Sequence, residues 1–154
     1  MAKDVDLSKL IDEILRDSRE MVLATCANNV PWASVLVFGH DKGPNLYWIS
    51  FENTRHSKEI EKNPNVSATV TKEPTGDGQD KGLQIQGLAR KLKEEEIFDA
   101  AREYFAKRGT PKMPETLEEA NALAKGRSWY VLKPTKIQVL YGPLFGYEAK
   151  EFIP

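Results

Sequence analysis

The stretch MVLATCANNVPWASVLVF, residues 21–38, does most to restrict what this chain can fold into. Two runs rich in β-branched and apolar residues flank a single pair, Asn28-Asn29. Two residues suffice for an antiparallel hairpin, whereas a parallel return needs a crossover of about a dozen residues. Pro31 has no amide proton to give to a ladder, so it belongs near a strand start or a sheet edge. Five more runs, LYWISF (46–51), VSATVTK, LQIQGLARKL, SWYVLKP and KIQVLYG, are separated by turn-forming residues. Their number and spacing predict six or seven short antiparallel strands.

Helical periodicity fills the remainder. Val5, Leu7, Leu10, Ile11, Ile14 and Leu15 recur at helical spacing and predict an amphipathic first helix lying across the sheet. EEEIFDAAREYFAKRG places Ile97, Phe98, Ala101, Tyr104 and Phe105 on one face and ends in Gly109, and TLEEANALAKG opens with a capping box of Thr116 and Glu119. The fold class is therefore mainly β (α+β), an antiparallel barrel with peripheral helices, and 154 residues fit a single domain. The loop EPTGDGQDKG is glycine-rich but precedes a strand, not a helix, which argues against a phosphate-cradling loop.

Charge and cysteine content remove whole classes of function. Twenty-two Lys and Arg against 23 Asp and Glu leave no global attraction to nucleic acid or an anionic membrane. One cysteine, Cys26, makes no internal disulfide, and with only His40 and His56 beside it the usual zinc sets cannot be assembled. Cys26 reads as an inert core residue, His40 as a solvated turn residue, and the compartment as a reducing cytoplasm. The charged start MAKDVDLSKLIDEI is expected to be neither a signal peptide nor a membrane span.

The functional signal lies in SFENTRHSKEIEKNP, residues 50–64, where a strand runs into a short helix capped by Asn53 or Thr54 and stopped by Asn63-Pro64. A helix start of this kind attracts anions through its free N–H groups and dipole. Arg55 offers a planar fork, Lys58 lies one turn along, and Ser50, Thr54 and Ser57 carry hydroxyls, a set suited to a phosphate monoester. The competing reading is a solvated helix in which Arg55 pairs with Glu59.

The ordered blocks PWASVLVF, NLYWISFENTRHSKEIEKNPNVSATV and GLQIQGLARKL resemble the pyridoxamine 5′-phosphate oxidase-like family of FMN-binding split barrels, over about residues 20–93. WYVLKPTKIQVLYGPLFGYEAKEFI is more loosely similar to the C-terminal strands of small family members. The resemblance implies a split barrel and a homodimer holding FMN at the subunit interface, with Trp32, Ala33, Ser34 and Val35 along the flavin ring. It also implies phosphate contacts from Ser50, Thr54 and Arg55, on the strand end that includes Ile49, and from the basic helix start. His56 stands where pyridoxamine oxidases usually carry lysine; Lys58 offers a substitute ammonium, and His56 beside a phosphate would be protonated. Gln84 either bonds the flavin or is an outward polar residue alternating with Gln86. Trp32 and Trp129 are the candidates for a contact with the ring, the competing reading being core or interface packing, the commoner role of strand aromatics. The C-terminal basic and histidine residues that grip the substrate in true pyridoxamine oxidases have no counterpart, so pyridoxal phosphate synthesis is not expected. The reading is an FMN-dependent oxidoreductase acting on a small molecule; the alternative is a non-catalytic protein binding flavin, a deazaflavin or haem.

Overall fold

The computed structural model describes residues 5–73 and 75–154; the MAKD segment and Pro74 of the polar loop lie outside the described residues. The chain opens with helix α1 (Leu7–Asp17), whose cap is Asp6 accepting from the Ser8 amide at 3.1 Å. Val5 therefore falls before the helix and is exposed, a correction to the apolar set expected of it. The hairpin follows as β1 (Glu20–Ala27) and β2 (Val30–Val37). Asn28 and Asn29 both adopt positive φ, 52° and 61°, the twist that a two-residue hairpin turn requires.

Next come β3 (Gly39–His40), β4 (Leu46–Ser50), α2 (Arg55–Lys62), β5 (Asn65–Lys72) and β6 (Lys81–Lys91). Helices α3 (Glu94–Lys107) and α4 (Leu117–Ala124) precede β7 (Ser128–Tyr141), α5 (Gly142–Phe145) and β8 (Ala149–Phe152). The strands form an antiparallel split barrel, one sheet in the order β2-β1-β5-β6-β7-β4-β3, with β8 pairing β7. Among the described residues no helix is long and apolar enough to cross a membrane.

The two closing strands expected from SWYVLKP and KIQVLYG are one strand. Pro134 breaks the sequence pattern without breaking the strand because it lies at a β-bulge, where pairing shifts between Gln86 and Gly87. The Thr135 hydroxyl donates to Gln86 O at 3.2 Å, and a Cβ on Gly87 would come within 2.4 Å of Lys133 O, so only glycine fits opposite the bulge.

Two cores flank β7. Tyr130 and Leu132 join Ile11, Ile14 and Leu15 of α1 inside the barrel, while Trp129 and Val131 face Ala101, Tyr104 and Phe105 of α3. This explains why the first half of β7 is apolar on both faces. Gly39 lets α3 approach the sheet: a Cβ there would come within 2.4 Å of the Tyr104 Cα.

Candidate functional site

Helix α2 buries an unusual face. Its buried residues are His56, Ser57, Glu59 and Ile60, so a single apolar anchor is accompanied by three polar groups. Buried polar groups require partners, and each has one. Thr54 caps the helix and lies 2.7 Å from Ser57 Oγ. His56 Nε2 lies 2.8 Å from Ser50 Oγ and 3.2 Å from Thr54 Oγ1. Glu59 accepts from the Thr25 hydroxyl of β1 and from Arg55 Nε at 2.9 Å. Asn63, just past the helix, donates to Cys26 O at 3.0 Å and ties its far end to β1.

Arg55 is thereby clamped. Its guanidinium carbon sits 4.3 Å from the centroid of the Trp32 ring, and the Trp32 partner across the hairpin is Thr25. The pair expected of the plain-surface reading is present, but Glu59 is buried and fixed by Thr25, so it aims Arg55 instead of merely neutralising it. With Nε committed, the Nη edge has no acceptor among the described residues. That edge faces the requirements of an oxyanion: Arg55, Lys58 and Lys62 line a cleft of about 500 Å³ with Asn28, Asn53 and Glu59. Hydrogen bonds from Thr25 and then Arg55 hold the Glu59 carboxyl below the usual carboxylate range, so it stays ionised beside the cations.

The thirteen residues singled out in the sequence fall into five places. Trp32, Thr54, Arg55 and Lys58 are at or beside the cleft. Ser50, His56 and Ser57 form an enclosed layer beneath it. Burial pushes the His56 imidazole down and keeps it neutral, which corrects its expected role as a further cation; it braces Ser50 and Thr54 instead. Ala33, Val35 and Gln84 belong to the outer face of the sheet, where Val35, Val22, Thr69, Gln84 and Gln138 form one row across five strands. Gln84 is exposed, as is Gln86, and lies three strand spacings, about 14 Å, from Val35. Ser34 turns inward opposite Leu23. Ile49 and Trp129 pair across β4 and β7, and Trp129 is 2% exposed, edge-on to Tyr104 and Phe105. A flavin ring cannot stack on it: the β-sheet alternation that made Trp129 visible points it under α3. Two other expectations change. Cys26 is half-buried on the outer face opposite Pro31, and His40 is enclosed, 3.3 Å from Asp12.

Thr25 and Glu59 are the site residues that sequence reasoning passed over as such. Their signal was present: Thr25 continues the inward alternation Met21, Leu23, and Glu59 stands beside the anchor Ile60, one turn after Arg55.

Known proteins share this architecture. A candidate pyridoxamine 5′-phosphate oxidase from Listeria innocua superposes with a TM-score of 0.67 at 22% identity, covering 88% of this chain and 98% of its own. General Stress Protein 26 of Bacillus anthracis gives 0.67 at 18%, covering 97% and 100%. A heme-binding protein of Mycobacterium smegmatis gives 0.74 at 15%, covering 99% of this chain, which spans 60% of that protein. No curated protein matches the chain in sequence. The family model of pyridoxamine 5′-phosphate oxidase matches residues 7–141, from the first helix to the end of β7, and the chain belongs to that family.

Proposed function

We propose that the chain binds FMN at a homodimer interface and acts as an FMN-dependent oxidoreductase on a small organic molecule. The observation that carries this reading is Arg55, held by Glu59 and Trp32 with its Nη edge uncommitted beside Lys58 and Lys62. A planar fork next to two ammonium groups and a helix start suits a phosphate monoester, and family membership favours flavin as its bearer. When bound, the flavin supplies the electron chemistry. The chain's own residues orient it: Glu59 and Thr25 fix Arg55, while the Ser50, His56 and Thr54 layer keeps the helix start in place.

Support for a shared site comes from β2. It is an edge strand with Val30, Trp32 and Val35 exposed at 53%, 44% and 66%, and Val22 beside it at 40%. An uncovered apolar edge of this length is a liability in an isolated chain. Trp32 and Val35 point to opposite faces of β2, so a second copy that wraps this edge strand would cover both and supply the wall that one chain lacks. Haem ligation by histidine needs an accessible ring nitrogen, and both histidines are engaged by their own partners, which weighs against that form of the haem reading.

The test is reconstitution with FMN, followed by light scattering and by turnover with a chemical reductant and an electron acceptor. Flavin absorbance on a dimer with steady turnover is expected. Flavin absorbance without turnover would leave the binding-protein alternative standing, and a strictly monomeric, colourless protein would overturn the proposal.

A further inference from the structure

At the other end of β2, about 20 Å along the strand from Trp32, a second cavity of about 360 Å³ opens between the α1–β1 turn and the end of α3. Its lining includes Arg16, Asp17, Arg19, Phe38, Lys107 and Arg108. Three arginines and a lysine face one carboxylate, and that carboxylate already serves Lys72 at 2.7 Å. Arg16 reaches Asp12 and Asp17. Among the described residues neither Arg19 nor Arg108 has a carboxylate partner, and the Arg108 guanidinium donates only to the Tyr104 hydroxyl.

Lys107 is the unusual member. Its Nζ is enclosed, has no hydrogen-bond partner among the described residues, and rests 3.3 Å from the centroid of the Phe38 ring. The ring face favours an ammonium by about 0.5 to 2 kcal/mol, but burial without a single acceptor opposes it more strongly. Burial carries the Lys107 amine down to about 7. Every neighbour of positive charge, Arg16, Arg19 and Arg108, works in the same direction; Asp12 and Asp17 on α1 work against it. His40 on β3 is itself held down by burial and by Lys107, so it adds no charge at neutral pH.

We propose that this cavity is a second ligand site, in which Lys107 captures a small anionic aldehyde or ketone as a Schiff base while Arg19 and Arg108 hold the anion. The neutral Nζ, turned off the Phe38 face into the cavity on its flexible four-carbon stem, adds to the carbonyl carbon, forming the C–N bond as the C=O electrons move to oxygen. Both amine protons then leave with that oxygen as water, giving the imine, and no oxidant or reductant is needed. A lysine desolvated next to other cations is suited to this chemistry. The site is independent of the flavin reading and separated from it by the length of β2.

Treating the full chain at pH 7 with glyoxylate, glycolaldehyde phosphate or propionaldehyde, each with cyanoborohydride, traps any imine for peptide mass mapping. Lys107 is expected to be labelled by an anionic aldehyde about tenfold faster than any other lysine, because surface amines remain almost wholly protonated at this pH. Labelling by glyoxylate alone identifies a carboxylate ligand, and labelling by the phosphate alone a phosphate ligand; either supports the site. The double variant Arg19→Gln, Arg108→Gln should slow anionic labelling of Lys107 at least tenfold more than it slows propionaldehyde labelling, which reads only the change in the amine's own protonation. The Lys107 rate should level off just above pH 7, while other lysines continue to gain to about pH 10. Labelling spread evenly over the lysines, a silent Lys107, or arginine variants without effect would overturn the proposal.

Discussion

Arg55 and Lys107 sit on aromatic rings at opposite ends of the same edge strand, one at a helix start and the other at a helix end, yet only Arg55 has a carboxylate. Glu59 meets its Nε at 2.9 Å, whereas Lys107 meets nothing but the Phe38 face. The difference decides the chemistry. A paired guanidinium stays charged and oriented and is fit to hold an anion; an unpaired, enclosed amine gives up its proton and becomes a nucleophile. One hydrogen-bonded carboxylate separates a binding group from a reactive one.

The largest effect expected is on ligand binding at the paired end. Arg55→Ala removes a fork of charge-assisted hydrogen bonds worth about 1.5 to 3 kcal/mol, a roughly tenfold to hundredfold loss of FMN affinity. Riboflavin, lacking the phosphate, should bind wild type and variant alike. Parallel titrations check this; equal losses for both flavins, or none for either, would break the claim that Arg55 is set for phosphate.

The Arg55 end was legible in the sequence and the Lys107 end was not, for a physical reason. Helix starts are marked locally: Thr54, Arg55 and Lys58 are adjacent in sequence, and capping depends on neighbours a few residues away. The strand runs, the Asn28-Asn29 turn and the Thr116 cap were readable for the same reason. The Lys107 cavity joins residues 16–19, 37–38 and 107–108, which only the closed barrel brings together. β8, four residues from Ala149 to Phe152, escaped notice because its alternation is too short to stand out, and it exists by pairing with the far end of β7. Trp129 misled because a strand pattern shows that residues alternate but not which layer covers each face.

The second effect sharpens the unpaired end. Phe38→Leu keeps an apolar side chain of similar volume but removes the π face under Lys107, with a loss of about 1 to 1.5 kcal/mol in denaturant unfolding. It should also lower the pH at which Lys107 becomes reactive, because the ring was favouring the ammonium. An upward shift of that pH would show that the ring does not serve as a cation platform.

Lys107→Met should raise stability by about 1 kcal/mol at neutral pH, since it replaces a buried, unsatisfied amine by an apolar chain of similar length. The pH dependence has a definite sign. Between about 7, where the folded-state amine titrates, and 10.5, its ordinary value, the unfolded chain holds more protons than the folded one. Wild-type stability must therefore rise with pH across that window, and the variant should lose this slope. Urea midpoints at a series of pH values decide it; parallel curves for wild type and variant would restore Lys107 to an ordinary surface lysine.

The smallest effect is at Glu59, and its sign is opposite. Its carboxyl is held below the ordinary value of 4.5, so the stability it contributes is complete above that pH and is lost as the pH falls through the folded-state value. Glu59→Gln keeps an acceptor for Thr25 and removes the charge facing Arg55, whose open side is screened by solvent. The loss at pH 7 should be about 0.5 kcal/mol. As the pH falls through the folded-state value wild type and variant should converge, because protonation makes the carboxyl as neutral as the amide. FMN binding separates the two roles that Glu59 could have. If it only stabilises the helix, FMN affinity is unchanged in Glu59→Gln. If it aims Arg55, two opposing changes act on the phosphate: a nearby negative charge is lost, which strengthens binding, and the guanidinium is less firmly held, which weakens it. Salt distinguishes them, since screening suppresses the charge effect and leaves the positional one. At high ionic strength the variant should bind FMN more weakly than wild type, and equal affinity there would mean that Trp32 alone is enough to hold Arg55 in place.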